Sequence, residues 1–246
     1  MWAFFQKLSS PKYFYNLSGY LIPWFGWACL AFMLVGLYYG LFLSPADYQQ
    51  KESVRIMYVH VPAAWLSLFV YMVMAIAGGI GLVWRIKLAE IIAASSAPIG
   101  ASFTFLALAT GALWGKPMWG AWWIWDARLT SELILLFLYL GVIALNSAIE
   151  DKRTAARASA VLTLVGVVNI PIIHFSVNWW NTLHQPSIFK GFEAPSVDPS
   201  MLTPLLLMAI AFQLYYGWVV LMRARCEILD RERNTSWVQT LATNGK

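Results

Sequence analysis

Charge and cysteine are what this chain has least of. Charged residues make up 12% of its 246 positions, about half the share of an ordinary soluble chain. Too few charges remain to clothe a water-facing surface of this size, so a soluble globular fold is excluded. Two cysteines occur, Cys29 and Cys226, and no C-x-x-C appears anywhere. A disulfide framework and a thiolate zinc site are therefore excluded as well. The first 19 residues lack the long apolar core and small-residue cleavage site of a signal peptide. They carry Lys7 and Lys12 among Trp2, Phe4, Phe5, Tyr13, Phe14 and Tyr15, a pattern that predicts a short amphipathic helix lying in a membrane interface.

Apolar residues, by contrast, reach 60%, against roughly 45–50% in a soluble chain. Their runs predict an all-α integral membrane protein of one domain, residues 1–246, with six transmembrane helices at about 20–43, 63–84, 92–113, 129–149, 158–176 and 201–222. Each is long enough to cross roughly 30 Å of hydrocarbon. Between the first two lies a polar segment, 44–62, with Asp47, Lys51, Glu52, Arg55 and His60, and Pro62 suits the first turn of the second span. Small-xxx-small pairs, Ala75/Gly79 and Ala77/Gly81, suit close packing of that span. The third span carries Ser95, Ser96, Ser102, Thr104 and Thr110 and is expected inside the bundle rather than against lipid. In the fifth, Asn169 and Pro171 predict a bend. A polar tail, 223–246, closes the chain with Arg223, Arg225, Arg231 and Arg233.

Six spans put both termini on one side. Twelve cations fall there: Lys7, Lys12, Arg85, Lys87, Lys152, Arg153, Arg157, Arg223, Arg225, Arg231, Arg233 and Lys246. Five fall opposite: Lys51, Arg55, Lys116, Arg128 and Lys190. The positive-inside rule makes the termini cytoplasmic. The net charge of +5 is thus a topology signal, not the footprint of a nucleic-acid partner. Cys29 falls within a span and Cys226 on the cytoplasmic side, which keeps them apart.

The stretch that organises the chain is on the far side: a loop, 114–128, between the third and fourth spans. Trp114, Trp119, Trp122, Trp123 and Trp125 fall within twelve residues, with Gly115, Pro117 and Gly120 between them to break any regular helix. An interfacial tryptophan belt is the bland explanation. A belt accounts for one or two tryptophans per helix end, and five in one loop suit a platform for a flat aromatic ligand. Asp126 can cap the fourth span and can equally orient a tryptophan N–H. Arg128 stands against the helix dipole, where it suits an acidic ligand group such as a propionate. Arg55 could serve likewise or stay a solvated loop charge.

Three histidines occur, His60, His174 and His184. His60 and His184 flank the tryptophan loop on its own side of the membrane. Either alone reads as a solvated side chain; as a pair they can clamp the two faces of a haem as axial ligands. Zinc is the rival metal, without a third ligand at H-x-x-x-H or C-x-x-C spacing. The missing C-x-x-C-H excludes covalent haem attachment to this chain. His174, at the end of the fifth span, reads as a packing residue near Pro171, although an ionisable group at membrane depth is a functional candidate.

The run WGKPMWGAWWIWDARLTSE, residues 114–132, resembles the tryptophan-rich WWD motif of haem-handling membrane proteins. With six spans, His60-Val-Pro, and the stretch from Asn169-Ile-Pro to His184-Gln, the whole chain resembles the CcmC family of cytochrome c maturation (system I). The resemblance implies a loading factor rather than an enzyme, one that holds haem b non-covalently at the periplasmic face of the bacterial inner membrane. It also implies presentation of that haem to the chaperone CcmE, in an assembly with the small membrane protein CcmD and the ABC-type pair CcmA and CcmB. His60 and His184 match the family's axial ligands, and Trp114 to Arg128 its haem-facing loop. Two other classes compete. A transporter moving haem through its own spans would carry polar residues at mid-depth or an inverted repeat. A b-type cytochrome would need ligand histidines inside the spans, where only His174 comes close.

The orientation is open to direct measurement. Cysteines introduced at Ser44 and Ser187 are expected to react with a membrane-impermeant thiol reagent in intact spheroplasts, and labelling only after lysis would reverse the topology.

Overall fold

A computed structural model describes residues 10–185, 188 and 195–244. Among the described residues eight α-helices follow in order: α1 (Pro11–Tyr38), α2 (Met57–Trp84), α3 (Lys87–Trp119), α4 (Ala127–Ala148), α5 (Lys152–Gly166), α6 (Asn169–Trp179), α7 (Pro199–Arg231) and α8 (Ser236–Asn244). Among the described residues there is no strand, only an isolated bridge between Asp47 and Lys51. Six stretches are long and apolar enough to cross a membrane, α5 and α6 together making one of them. The chain is an all-α, multi-pass membrane protein. The reason is elementary: hydrocarbon offers no partner to a free N–H or C=O, so each crossing segment must close its own backbone hydrogen bonds.

Several bounds differ from those the sequence suggests. Residues 11–19 are the first turns of α1, not a separate interfacial helix, because Pro11 opens the helix and nothing interrupts it before Tyr38. Trp2, Phe4, Phe5 and Lys7 lie outside the described residues. A short 3₁₀ turn, Glu52–Ile56, leads directly into α2, so Pro62 sits five residues inside the helix rather than in its first turn. Helix α7 continues unbroken to Arg231, and Arg223, Arg225 and Arg231 extend the last span instead of starting a new element.

Helices α2 and α3 lie side by side at the centre, with α1 and α7 paired on one flank and α4, α5 and α6 on the other. The hydroxyl-rich α3 is inside, as its composition predicts: Ser95, Ser96 and Thr104 are buried, and Ser96 meets the Tyr216 hydroxyl of α7 at 2.9 Å. Its Ser102 is exposed and returns its hydrogen bond to Pro98 of its own helix. The fifth span breaks at residues 167–168, and Asn169 then donates to the carbonyl of Ser131 on α4 at 2.8 Å. A buried polar chain stitches the centre. Ser67 of α2 donates to Glu132 of α4 at 2.7 Å, while the Tyr139 hydroxyl donates to the Ser67 carbonyl at 2.7 Å. Glu132 thus places a buried carboxylate within the fourth span.

The end that carries the termini is tied by ions and aromatics. Arg225 lies 3.7 Å from the centre of the Tyr15 ring and donates to the Tyr15 carbonyl. Arg231 pairs with Glu227 at 2.7 Å and with Glu90 at 3.4 Å, while Lys87 reaches Glu232 at 2.9 Å. Trp237 of α8 packs on Tyr15 and donates to Glu232 at 2.7 Å. The tail is therefore docked on the bundle. Cys29 is buried with its thiol on the Ala211 carbonyl at 3.4 Å, and Cys226 is exposed; both are free.

Two practical points follow for labelling. Ser44 is 4% exposed and hydrogen-bonded to the Tyr58 hydroxyl, whereas Tyr48 in the same segment is 79% exposed, which makes Tyr48 the position to label. Ser187, Lys190 and Lys246 lie outside the described residues, and the exposed Cys226 reports the opposite end.

Packing at the centre depends on a missing side chain. A Cβ on Gly100 would lie 2.2 Å from the Tyr139 ring, whereas one on Gly79 would meet Leu164 at an ordinary 3.7 Å. Overpacking a tight core costs about 1–3 kcal/mol. Gly100→Val is expected to lower the thermal stability of the detergent-purified protein by at least about that much, and Gly79→Ala to leave it near wild type; equal melting curves would contradict this account.

Candidate functional site

The site is built where the helices end. Helix α3 does not stop at Trp114: it runs through Gly115 and Pro117 to Trp119 and ends at Gly120, whose φ of 73° is the left-handed value that glycine accepts without strain. Pro117 is tolerated because it lies in the last turn, near the water-facing end. Trp114 and Trp119 consequently project from a helix, and only residues 120–126 form the irregular turn. Asp126 then caps α4, its carboxylate accepting from the Leu129 N–H at 2.8 Å.

Beneath this turn lies a cavity of about 800 Å³, in the upper part of the roughly 300–1,000 Å³ range of small-molecule sites. It descends along α2 from Met57 past Trp65 to Leu68, and its walls include Trp114, Trp119, Trp123, Arg128, Glu132, His60, His174 and His184. Trp122 and Trp125 are not among its lining residues. They are 55% and 75% exposed, Trp122 with the Lys116 ammonium 5.8 Å from its ring and Trp125 edge-on to Trp123 at 5.4 Å. Arg55 is likewise turned elsewhere, to Glu52 at 2.5 Å and the Gly40 carbonyl at 2.7 Å. It braces the first turn against α1 and is not among the cavity residues.

His60 and His184 come together from helix and loop, with ring centroids 6.3 Å apart and planes inclined by 36°. His60 donates through Nδ1 to the Ala107 carbonyl at 3.0 Å, and His184 through Nδ1 to the Gln185 carbonyl at 2.8 Å. A carbonyl can only accept, so each Nδ1 carries the proton and each Nε2 keeps its lone pair. This is the arrangement of metal-binding imidazoles, whose second nitrogen is fixed by an outer partner. Burial, and then the positive charge of Arg128, hold the His184 imidazole well below its ordinary range, at about 4. It is therefore neutral at physiological pH, the form that binds metals. Two metal–imidazole bonds of roughly 2 Å each would place the ring centres roughly 6 Å apart, which is the separation found.

The rest of the lining is polar at selected points. Arg128 donates to the Ile173 carbonyl at 3.3 Å and forms no ion pair among the described residues, so its charge is open to an acidic group in the cavity. Trp123 Nε1 is buried without a hydrogen-bond partner among the described residues. Leaving such a donor unpaired costs about 1–3 kcal/mol, which an acceptor on a bound molecule would recover. Trp114 Nε1, by contrast, donates to Gln50 at 2.9 Å. His174 is exposed and edge-on to Phe175 at 4.7 Å. Among the described residues no group of three His, Cys, Asp or Glu side chains is placed to hold a metal ion.

Gln50, Trp65 and Thr182 also belong to the site and carry no signal of their own in the sequence. Glu132, one turn after Arg128 and by its spacing a pairing partner for it, lines the cavity and accepts from Ser67 at 2.7 Å. Gln50 and Thr182 find partners 64 and 56 residues away, a pairing no local pattern reveals.

Comparison with known proteins identifies the family. A family model described as "Heme exporter protein C" (CcmC) matches residues 4–239. The chain is 52% identical over 241 residues to a protein of that name from Escherichia coli strain K12, covering 98% of this chain and 97% of the other. It is 50% identical over 242 residues to one from Haemophilus influenzae, covering 98% of each. With one from Bradyrhizobium diazoefficiens it shares 54% identity over 224 residues, 91% of this chain and 85% of the relative. Six apolar helices, a tryptophan-walled cavity with a facing histidine pair, and likeness along the whole length lead to one conclusion: the chain belongs to the CcmC, heme exporter protein C, family.

Proposed function

We propose that this protein binds haem b non-covalently in the cavity under the tryptophan turn, with His60 and His184 as axial ligands. The observation that carries this reading is the paired histidines, each with a lone pair free and at a spacing suited to one metal between them. Two protein ligands are too few for a bare zinc ion, which takes four in structural sites and three in catalytic ones. They suffice for an iron whose remaining positions are filled by its own macrocycle. Trp114, Trp119 and Trp123 supply flat walls for that ring, Trp123 a free N–H, and Arg128 a counter-charge for a propionate. The protein's part is to bind, orient and shield; the iron and ring bring their own electronic chemistry.

The relatives' shared name, heme exporter protein C, supports haem as the cargo, and in this reading that haem serves cytochrome c maturation. The tryptophan end faces the periplasm, in keeping with the excess of cations on the terminal side, and the protein sits in the bacterial inner membrane. From there it loads haem onto the chaperone CcmE, in company with CcmD and the ABC-type components CcmA and CcmB. Trp122 and Trp125, exposed beside the cavity, form with Asp126 the part of the platform a chaperone meets.

Two measurements test this. In absorption spectra of haem-loaded, purified protein, His60→Ala and His184→Ala are each expected to change the spin state while retaining bound haem, the double variant to lose most of it, and His174→Ala to resemble wild type. A shift confined to His174→Ala would refute the ligand assignment. In a loading assay, the Trp119→Ala/Trp123→Ala pair should lose bound haem, whereas Trp122→Ala/Trp125→Ala should keep it yet transfer several-fold less to the chaperone. Normal transfer by the second pair would remove the docking role.

A further inference from the structure

His60 stands on a helix, but His184 stands on a segment with no regular structure, and something must hold it opposite its partner. Its own Nδ1–H bond goes to Gln185, the next residue. Such a bond moves with the loop and anchors it to nothing. Among the described residues, the only hydrogen-bonded link from residues 181–185 to the bundle runs through the side chain of Thr182. The Thr182 hydroxyl donates to Asp126 Oδ2, and its oxygen accepts the His184 backbone N–H at 3.0 Å. Asp126 is itself immobile, because its other oxygen, Oδ1, caps α4 through Leu129 at 2.8 Å. A helix end is thus the reference point, and one β-branched side chain with few rotamers passes that reference to the histidine loop.

We propose that Thr182 is the positioning residue of His184. Its hydroxyl, clamped between the Asp126 carboxylate and the His184 N–H, holds the imidazole at the separation from His60 that lets both rings engage one iron. The proposal rests on the haem-ligand reading given above and adds to it the device that makes a loop histidine as well placed as a helical one. It also gives Asp126 a function distinct from touching the ligand: one oxygen caps the start of α4 and the other sets the height of the loop histidine. Valine has the shape of threonine without the hydroxyl, and serine has the hydroxyl without the methyl, so the two substitutions separate packing from the clamp.

The test uses the full-length protein, purified with and without haem. With haem, the absorption spectra of Thr182→Val and Thr182→Ser are compared with those of wild type and His184→Ala, each with and without added imidazole. Thr182→Val is expected to retain haem through His60 but to weaken the second ligand roughly tenfold or more, the usual effect of removing an outer partner of a metal ligand. A high-spin fraction should then appear that imidazole abolishes, whereas Thr182→Ser keeps the wild-type spectrum. Without haem, the His184 amide should exchange its hydrogen faster in Thr182→Val than in wild type, because its acceptor is gone. Thr182→Ala, which adds no bulk, gives the same two readouts should the valine variant insert poorly. A wild-type spectrum and wild-type exchange in Thr182→Val, where His184→Ala does shift the spectrum, would overturn the clamp alone. No shift in His184→Ala would overturn the ligand reading and the clamp with it.

Discussion

Hydrocarbon forces every crossing segment of this protein into helix, because a free backbone group there has no partner, and the placement of the site follows from that constraint. Irregular chain, with donors and acceptors to spare, is confined to the ends of the bundle. The two ends use it differently. At the end with the termini, Lys87 and Glu90 on α3 pair with Glu232 and Arg231 at the end of α7, and Arg231 pairs also with Glu227 of its own helix, which ties α3 to α7. At the other end the described residues between α3 and α4, and between α6 and α7, form no regular structure, and several of them line a cavity large enough for a cofactor-sized molecule.

What fills such a cavity is governed by the few polar groups left without protein partners. Most polar atoms near it are spoken for: Trp114 by Gln50, Glu132 by Ser67, both Nδ1 atoms by carbonyls. Among the described residues, the Trp123 N–H lacks a partner, the second nitrogens of His60 and His184 keep their lone pairs, and Arg128 makes no ion pair. A donor, a cation and a pair of metal-binding lone pairs on aromatic walls match an anionic, flat, metal-bearing molecule. That chemical match, more than cavity size, favours haem over another apolar ligand.

Much of the fold was legible in advance because membrane helices are written in composition. Six apolar runs, the hydroxyl-rich third span and the break near Asn169 all have local physical causes, and all are present. Their ends were less legible. Pro117 suggests a break but is tolerated in a last turn, so α3 carries Trp114 and Trp119 on a helix, and the true stop is Gly120. Five tryptophans look equivalent in the sequence, yet three line the cavity and two face outward, since neighbouring residues on a sharp turn point in different directions. Arg55, five residues before His60, is drawn to Glu52 and the Gly40 carbonyl instead.

The sequence by itself determined the class of the protein, the number of spans and the residue types that any site could draw on, because hydropathy and residue chemistry are local properties. Tertiary structure alone decided that His60 and His184 meet, that His174 reaches the wall of the same cavity, that Glu132 is buried beside it and that Thr182 ties its loop to Asp126. Each of those facts joins residues from different helices or loops. Their distances are set by how the helices pack, and packing is a property of the whole bundle that no single stretch of chain contains.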